Sequence, residues 1–134
     1  MYGLKYAQGT IWFSHDDRYG DSDNPYQSKT RVFHGDHPVL VISNNDRNAT
    51  HPTVLVAPIS STENTHNERI LKLEQPEASD SYKEVYILIS STYEVDKSCL
   101  LNYRSSIDTE MMIAVKKSLA DEFRITNEDL KVTI

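Results

Sequence analysis

His37-Pro38-Val39-Leu40-Val41-Ile42-Ser43 and Pro52-Thr53-Val54-Leu55-Val56-Ala57-Pro58-Ile59-Ser60-Ser61 are two apolar, β-branched runs fenced by proline and by Asn, Asp and Ser. Each has the length of a buried strand rather than of a helix, and the residues that bound it favour turns. The residues between them, 43–51, are rich in amide and carboxylate side chains that bond to nearby backbone, which reads as a tight connection between two adjacent core strands. The ends of the pair carry the chemistry. His37, a group that handles a proton near neutral pH, stands before the first strand, and the hydroxyls of Ser60 and Ser61 stand after the second.

Upstream, Gly9-Thr10-Ile11-Trp12-Phe13 reads as a first strand whose two aromatic side chains bring bulk to a small core. Residues 14–36 are dominated by Asp, Gly, Asn, Ser and Tyr, the composition of a long loop. Loops of that length in a compact domain are commonly functional, so this one is expected to be a lid or binding loop. It carries Arg18, Arg31 and His34, with Tyr19, Tyr26 and Phe33 able to stack on unpaired bases.

Downstream, 69–74 and 84–90 read as two more strands separated by an acidic, Pro- and Ser-containing connection, so that the chain up to there is a β-meander. A helical turn capped by Asp96 is expected over 96–101. A full helix follows, with Asp108 as N-cap, Glu110 in the first turn, and Met112, Val115, Leu119 and Phe123 recurring at helical spacing to about Glu122; Ile107 and Met111 widen that stripe. The tail is expected to add a turn after Thr126 and an end strand over 131–134.

The chain has 134 residues, 38% of them hydrophobic, which suits a single domain over 1–134. A formal net charge of −6 argues against a protein that coats nucleic acid through a broad basic face, but leaves room for a local groove where Arg18, Lys29, Arg31, Arg47 and Arg69 gather. The one cysteine, Cys99, permits no intramolecular disulfide and points to a reducing compartment. The N-terminus lacks a signal-peptide design and no apolar run nears the roughly 20 residues that span a bilayer, so a soluble, cytoplasmic protein with no membrane partner is expected. His34-Gly35-Asp36-His37 is a weak candidate for metal ligation, because zinc takes more convergent ligands on defined elements. No metal and no cofactor is expected. Strands followed by a terminal helix give an α+β domain whose strands curl into a small, partly open barrel, since one helix cannot cover both faces of five or six strands. Edge strands and leftover apolar surface favour a two-fold homodimer.

In that order of elements the sequence resembles the MazF/PemK (Kid) family of toxin endoribonucleases. The parallel segments are Gly9-Thr10-Ile11-Trp12, the two apolar runs, Val95-Asp96-Lys97 before Leu100, and Ile107-Asp108-Thr109-Glu110-Met111-Met112 at the helix start, a match over roughly residues 7–123. The resemblance implies a small SH3-like, CcdB/PemK-type partly open barrel with a C-terminal helix. It also implies a homodimeric, metal-independent ribonuclease that cuts single-stranded RNA at short sequences by attack of the 2′-hydroxyl on the adjacent phosphate, and a cognate antitoxin protein as partner. The family usually has an arginine before the proline of the second strand and Thr or Ser after the Pro-Ile of the third; here these are His37 and Ser60. Some PemK-type members carry an Arg and an Asp in the strand before the short helical turn, and the region 87–94 has neither.

On this reading His37 and Ser60 are the candidate catalytic residues. His37 exchanges a proton with the attacking or leaving oxygen, and Ser60 donates a hydrogen bond to a non-bridging phosphate oxygen. Arg18, Arg31, His34, Ser61 and Asn44 are candidate RNA-binding or auxiliary groups. The alternative is a non-catalytic binding module on the same barrel, a degenerate toxin or a gyrase-inhibitor-like protein.

Overall fold

The computed structural model describes residues 4–16, 35–60, 69–73, 85–126 and 128. They form β1 Thr10–Asp16, β2 Gly35–Val41, α1 Asn45–Thr50, β3 Thr53–Ser60, β4 Ile70–Leu73, β5 Val85–Leu88, β6 Tyr93–Asp96, β7 Leu100–Ser106 and α2 Thr109–Glu122, with 3-10 turns at Ile89–Ser91 and Lys97–Cys99. The strands build one antiparallel sheet in the order β4-β5-β3-β2-β1-β7. β6 pairs with β3 over Thr53–Val56 while β5 pairs with it at Ile59 and Ser60, so β5 and β6 follow one edge of β3 with the first 3-10 turn between them.

The two apolar runs are neighbours, with Val39 opposite Pro58, Leu40 opposite Ala57 and Val41 opposite Val56. Both runs are continuously apolar because both faces of the strands are buried. Leu40, Ile42, Ala57 and Ile59 join a cluster with Ile11, Ile87, Ile107, Met112 and Val115, whereas Val39, Val41, Val54 and Val56 join Trp12, Val95 and Leu100. The helix α2 covers the first cluster through Met112 and Val115.

The second cluster is closed by curvature. The residues Lys97–Cys99 alone separate β6 from β7, yet these strands lie at the two ends of the path β6-β3-β2-β1-β7. The sheet must therefore curl until its ends approach, which brings Val95 and Leu100 into one cluster. Among the described residues no ladder joins β6 to β7, so the result is an open, strongly bent sheet rather than a closed barrel. Two register shifts in the β1–β7 ladder leave Leu101 and Arg104 as extra residues on β7, and such bulges add the local twist that a curling edge needs.

Several expectations are corrected. The connection 43–51 contains α1 rather than only a tight turn: Asn44 Oδ1 accepts from Arg47 N at 2.8 Å and caps it. The meander breaks after β3, since β5 lies between β3 and β4. β6 and β7 raise the strand count to seven, β1 continues to Asp16 and β2 begins at Gly35, trimming both ends of the expected long loop. The turn at Lys97–Cys99 exists, but the Asp96 side chain does not cap it. α2 starts behind Asp108, whose carboxylate accepts from Met111 N at 2.7 Å, and ends at Glu122 as expected. Phe123 leaves the stripe, being 72% exposed past the helix end. The expected end strand over 131–134 lies outside the described residues.

Gly9 locks the first strand to the helix start. Its N–H donates to Val41 O at 2.8 Å and its carbonyl accepts from Ile107 N at 2.9 Å, at a φ of 92° that only glycine adopts without strain. Asn48 holds α1 to the sheet in the same way. Its fully buried amide donates to Ser43 O at 2.9 Å and accepts from Ser43 Oγ at 2.5 Å, while Ser43 Oγ accepts from Leu55 N at 3.0 Å. Asn48→Ala leaves the Ser43 carbonyl and hydroxyl without their amide partner in the interior, and we expect a loss of about 1–3 kcal/mol in a urea titration. A change below about 0.5 kcal/mol would show that the network does not hold α1.

Candidate active site

Strand alternation puts His37 on the face of β2 that carries Val39 and Val41, at the rim of the second cluster. The antiparallel ladder sets Ser14 of β1 directly across from it. Ser14 is fully buried, and its Oγ has no hydrogen-bond partner among the described residues.

His37 Nε2 and the Tyr93 hydroxyl are 3.1 Å apart, with ring centroids 6.5 Å apart and planes inclined by 36°, an edge-on hydrogen bond rather than a stack. Tyr93 opens β6, pairs with Val56 of β3, and packs against the second cluster. The next residue is anchored too. Glu94 Oε2 accepts from Thr53 Oγ1 at 2.7 Å and from Arg47 Nη2 at 3.0 Å, and the same Arg47 nitrogen donates to Thr53 Oγ1 at 2.9 Å. Partly exposed as it is, this ion pair contributes little energy by itself; its effect is to fix where β6 begins.

Ser60 ends β3, half-buried and paired with Tyr86 of β5. The β2–β3 ladder ends at Val39–Pro58; two residues further along each strand stand His37 and Ser60, which alternation gives the same face. The imidazole of His37 thus has the Tyr93 hydroxyl on its Nε2 and Ser14 across the ladder. Such a group can accept or return a proton while hydroxyls bond to a developing oxyanion.

Of the residues singled out in the sequence, His37 and Ser60 fall on adjacent strands of one sheet face, and Asn44 caps α1. Arg18, Arg31, His34 and Ser61 lie outside the described residues. Sequence reasoning missed Ser14 and Tyr93. A polar residue two positions after Trp12 in a core strand is a visible signal for Ser14. Tyr93 is 56 residues from His37 and only the fold brings them together. A separate groove of about 490 Å³ lies on the α2 side between Ile42, Leu55, Ile89, Leu119 and Phe123, with Asn44 but neither His37 nor Ser60 in its lining.

Residues 8–123 match the family model described as PemK-like, MazF-like toxin of type II toxin–antitoxin system. The chain belongs to that family. Solved structures of the same fold include an endoribonuclease in complex with its cognate antitoxin from a mycobacterial species, 17% identical, with a TM-score of 0.65 over 90% of this chain and 96% of that one. The Mycobacterium tuberculosis toxin MazF-mt6 is 13% identical with a TM-score of 0.64, covering 87% of this chain and 98% of its own. MazF from Deinococcus radiodurans is 14% identical with a TM-score of 0.63, covering 92% of this chain and all, 100%, of its own. A comparison with curated proteins gives no match. At these identities the solved structures establish the shared fold, and the family model establishes the chain as a MazF/PemK-type toxin. Among the described residues of this family member, no helix is long and apolar enough to cross a membrane.

The cap gives a test of what Asn44 does for the fold. Asn44→Ala should cost about 1 kcal/mol of stability, and Asn44→Ser, which keeps a capping oxygen, should restore most of it in the same melting experiment. Equal stability of all three proteins would remove the capping role.

Proposed function

We propose that this toxin is an endoribonuclease that cleaves single-stranded RNA by attack of a ribose 2′-hydroxyl on the adjacent phosphate. The bond from phosphorus to the 5′-oxygen breaks as the bond to the 2′-oxygen forms, leaving a cyclic phosphate and a 5′-hydroxyl end. One proton leaves the 2′-oxygen and one is delivered to the departing 5′-oxygen. His37 is the group for one of these transfers, and Ser60 donates to a non-bridging oxygen. Arg18, Arg31, His34, Ser61 and Asn44 are the residues proposed to hold or flank the RNA. No metal or cofactor is required by this scheme.

The observation that carries the reading is the common face of His37 and Ser60 on adjacent strands of a chain in the MazF-like toxin family. Two of the structural relatives, one from a mycobacterial species and one a MazE–MazF pair from Deinococcus radiodurans, are solved with a partner. They support a cognate antitoxin for this chain. A homodimer is proposed as the active form, supported by the edge position of β7 and by the exposure of its Leu101 and Tyr103, 59% and 54%. The cytoplasm, where mRNA and an antitoxin would be met, is the proposed location.

Purified protein incubated with a long mixed-sequence RNA in excess chelator should produce 5′-hydroxyl ends at a recurring short sequence. His37→Ala should slow cleavage by about 10²-fold or more. Absent or random cuts would overturn the activity and leave a non-catalytic module of the same fold; recurring cuts that persist at full rate in His37→Ala would move the centre elsewhere. In sedimentation equilibrium the active protein should have twice the chain mass, and a monomer at cleavage-competent concentration would remove the homodimer.

A further inference from the structure

Each polar side chain that lines the groove beside α2 already has a hydrogen bond within the chain. Gln8 Nε2 donates to Ile42 O at 2.9 Å, Thr92 Oγ1 to Ile89 O at 2.6 Å, and Ser90 Oγ to Glu122 Oε2 at 3.1 Å. Ser43 and Asn44 serve α1, through Asn48 and through Arg47 N. Among the described residues the one charged side chain of the lining is Glu122, and it also accepts from Arg69 Nε at 3.0 Å. What is left to an incoming group is the apolar wall of Ile42, Leu55, Ile89, Leu119 and Phe123.

Phe123 is exposed by construction of the helix end and not by fraying. Its N–H donates to Leu119 O at 3.1 Å, the Ile125 N–H donates to Ala120 O at 2.8 Å, and Arg124 closes the turn at a φ of 55°. Ile125, 44% exposed, adds to the same apolar end. Lys116, Leu119 and Phe123 stand at i, i+3 and i+7, so Lys116 continues the α2 wall of the groove. Lys116 and Arg124 are exposed, and among the described residues neither makes an ion pair. The carboxylate of Asp121 belongs to the other side of α2, about 160° round the helix from Leu119.

We propose that this groove is a docking site for an amphipathic helix of a protein partner, with apolar side chains turned into the groove and carboxylates beside them that meet Lys116 and Arg124. Charge complementarity selects the occupant. The groove's own carboxylate is neutralised by Arg69, whereas the two cations on its lip are unpaired. A helix arrives with its backbone hydrogen bonds made, which suits a wall whose polar groups are already committed. A nucleic acid would also bring negative charge, but of the described lining only Phe123 offers a ring on which a base can stack. A small apolar ligand would leave both cations unused and would stay partly wet beside so exposed a phenylalanine. His37 and Ser60 take no part, so docking here is independent of the ribonuclease reading.

The test uses two dye-labelled, helix-forming peptides with Leu at i, i+3, i+4 and i+7, one with Glu at the flanking positions and the other with Lys, and reads fluorescence anisotropy with the full chain. The Glu peptide should bind saturably, and the Lys peptide at least about tenfold more weakly. Phe123→Ala should weaken the Glu peptide about tenfold. Lys116→Gln combined with Arg124→Asn should weaken it about fivefold and flatten its salt dependence; asparagine is chosen because it tolerates the left-handed backbone. RNA cleavage should run at the wild-type rate in both variants. Wild-type protein that cleaves no RNA would end the ribonuclease reading and leave the docking measurement standing.

No binding of the Glu peptide to wild type, equal binding of the two peptides, or full affinity in either variant would overturn the proposal. Displacement of the Glu peptide by an oligodeoxynucleotide, which has no 2′-hydroxyl and is not cut, would overturn it in favour of a nucleic acid. A Phe123→Ala protein that sediments at half the wild-type mass would overturn it in favour of a second copy of this chain. Melting curves that match wild type separate these outcomes from misfolding.

Discussion

Strands β6 and β7 are joined by the three-residue turn Lys97–Cys99 although four strand pairings lie between them on the other path round the sheet. A flat sheet cannot satisfy both connections. The curl that does so buries the second face of β2 and β3 without a second helix, and the valines at 39, 41, 54 and 56 lose all exposure as a result. Burying apolar surface on both faces is worth about 25 cal/mol per Å², so the same curvature supplies much of the driving force that a small domain needs. The price is paid at β7, whose two bulges interrupt its ladder with β1.

That curvature also makes the candidate site. A histidine at the start of β2, a serine across from it on β1, a serine at the end of β3 and a tyrosine at the start of β6 come from four strands and share the rim of one cluster. His37, Ser60 and Tyr93 are half-buried there, where a polar side chain meets both a rigid support and solvent, while Ser14 is fully buried. Rigidity comes from local anchors of modest individual strength: the Asn48–Ser43 network under α1, and the Arg47–Glu94–Thr53 contacts that link α1 to β6. Their combined effect is positional, since each fixes a strand end rather than adding much net energy. The group at position 37 is an imidazole, whose Nε2 lies 3.1 Å from the Tyr93 hydroxyl.

The apolar runs of β2 and β3 and the stripe and cap of α2 were legible because each is a local pattern: alternation with both faces apolar, or Asp108 followed by Met112 and Val115 at helical spacing. α1 was not, because Asn45-Asp46-Arg47-Asn48-Ala49-Thr50 has no apolar face and its stability comes from a cap and one buried amide. β6 and β7 were missed for a related reason. Tyr93-Glu94-Val95-Asp96 is too short to show a period, and Leu101 and Arg104 as bulge residues break the alternation of β7. Phe123 kept helical spacing after the helix had ended at a turn with Arg124 in the left-handed region, so spacing alone overextended the stripe.

The sequence by itself determined that β2 and β3 are core strands, where the last helix begins, and that His37 and Ser60 stand near strand ends in a chain resembling a toxin family. These follow from short-range rules in which each residue is read against neighbours a few positions away. Only the tertiary structure decided that β5 inserts between β3 and β4, that the sheet curls without closing, and that Tyr93 lies on His37 Nε2 with Ser14 across the ladder. The physical reason is that strand order and register are set by the joint burial of two faces and by the shortness of the β6–β7 link. Those constraints act on the whole chain at once, and no window of sequence contains them.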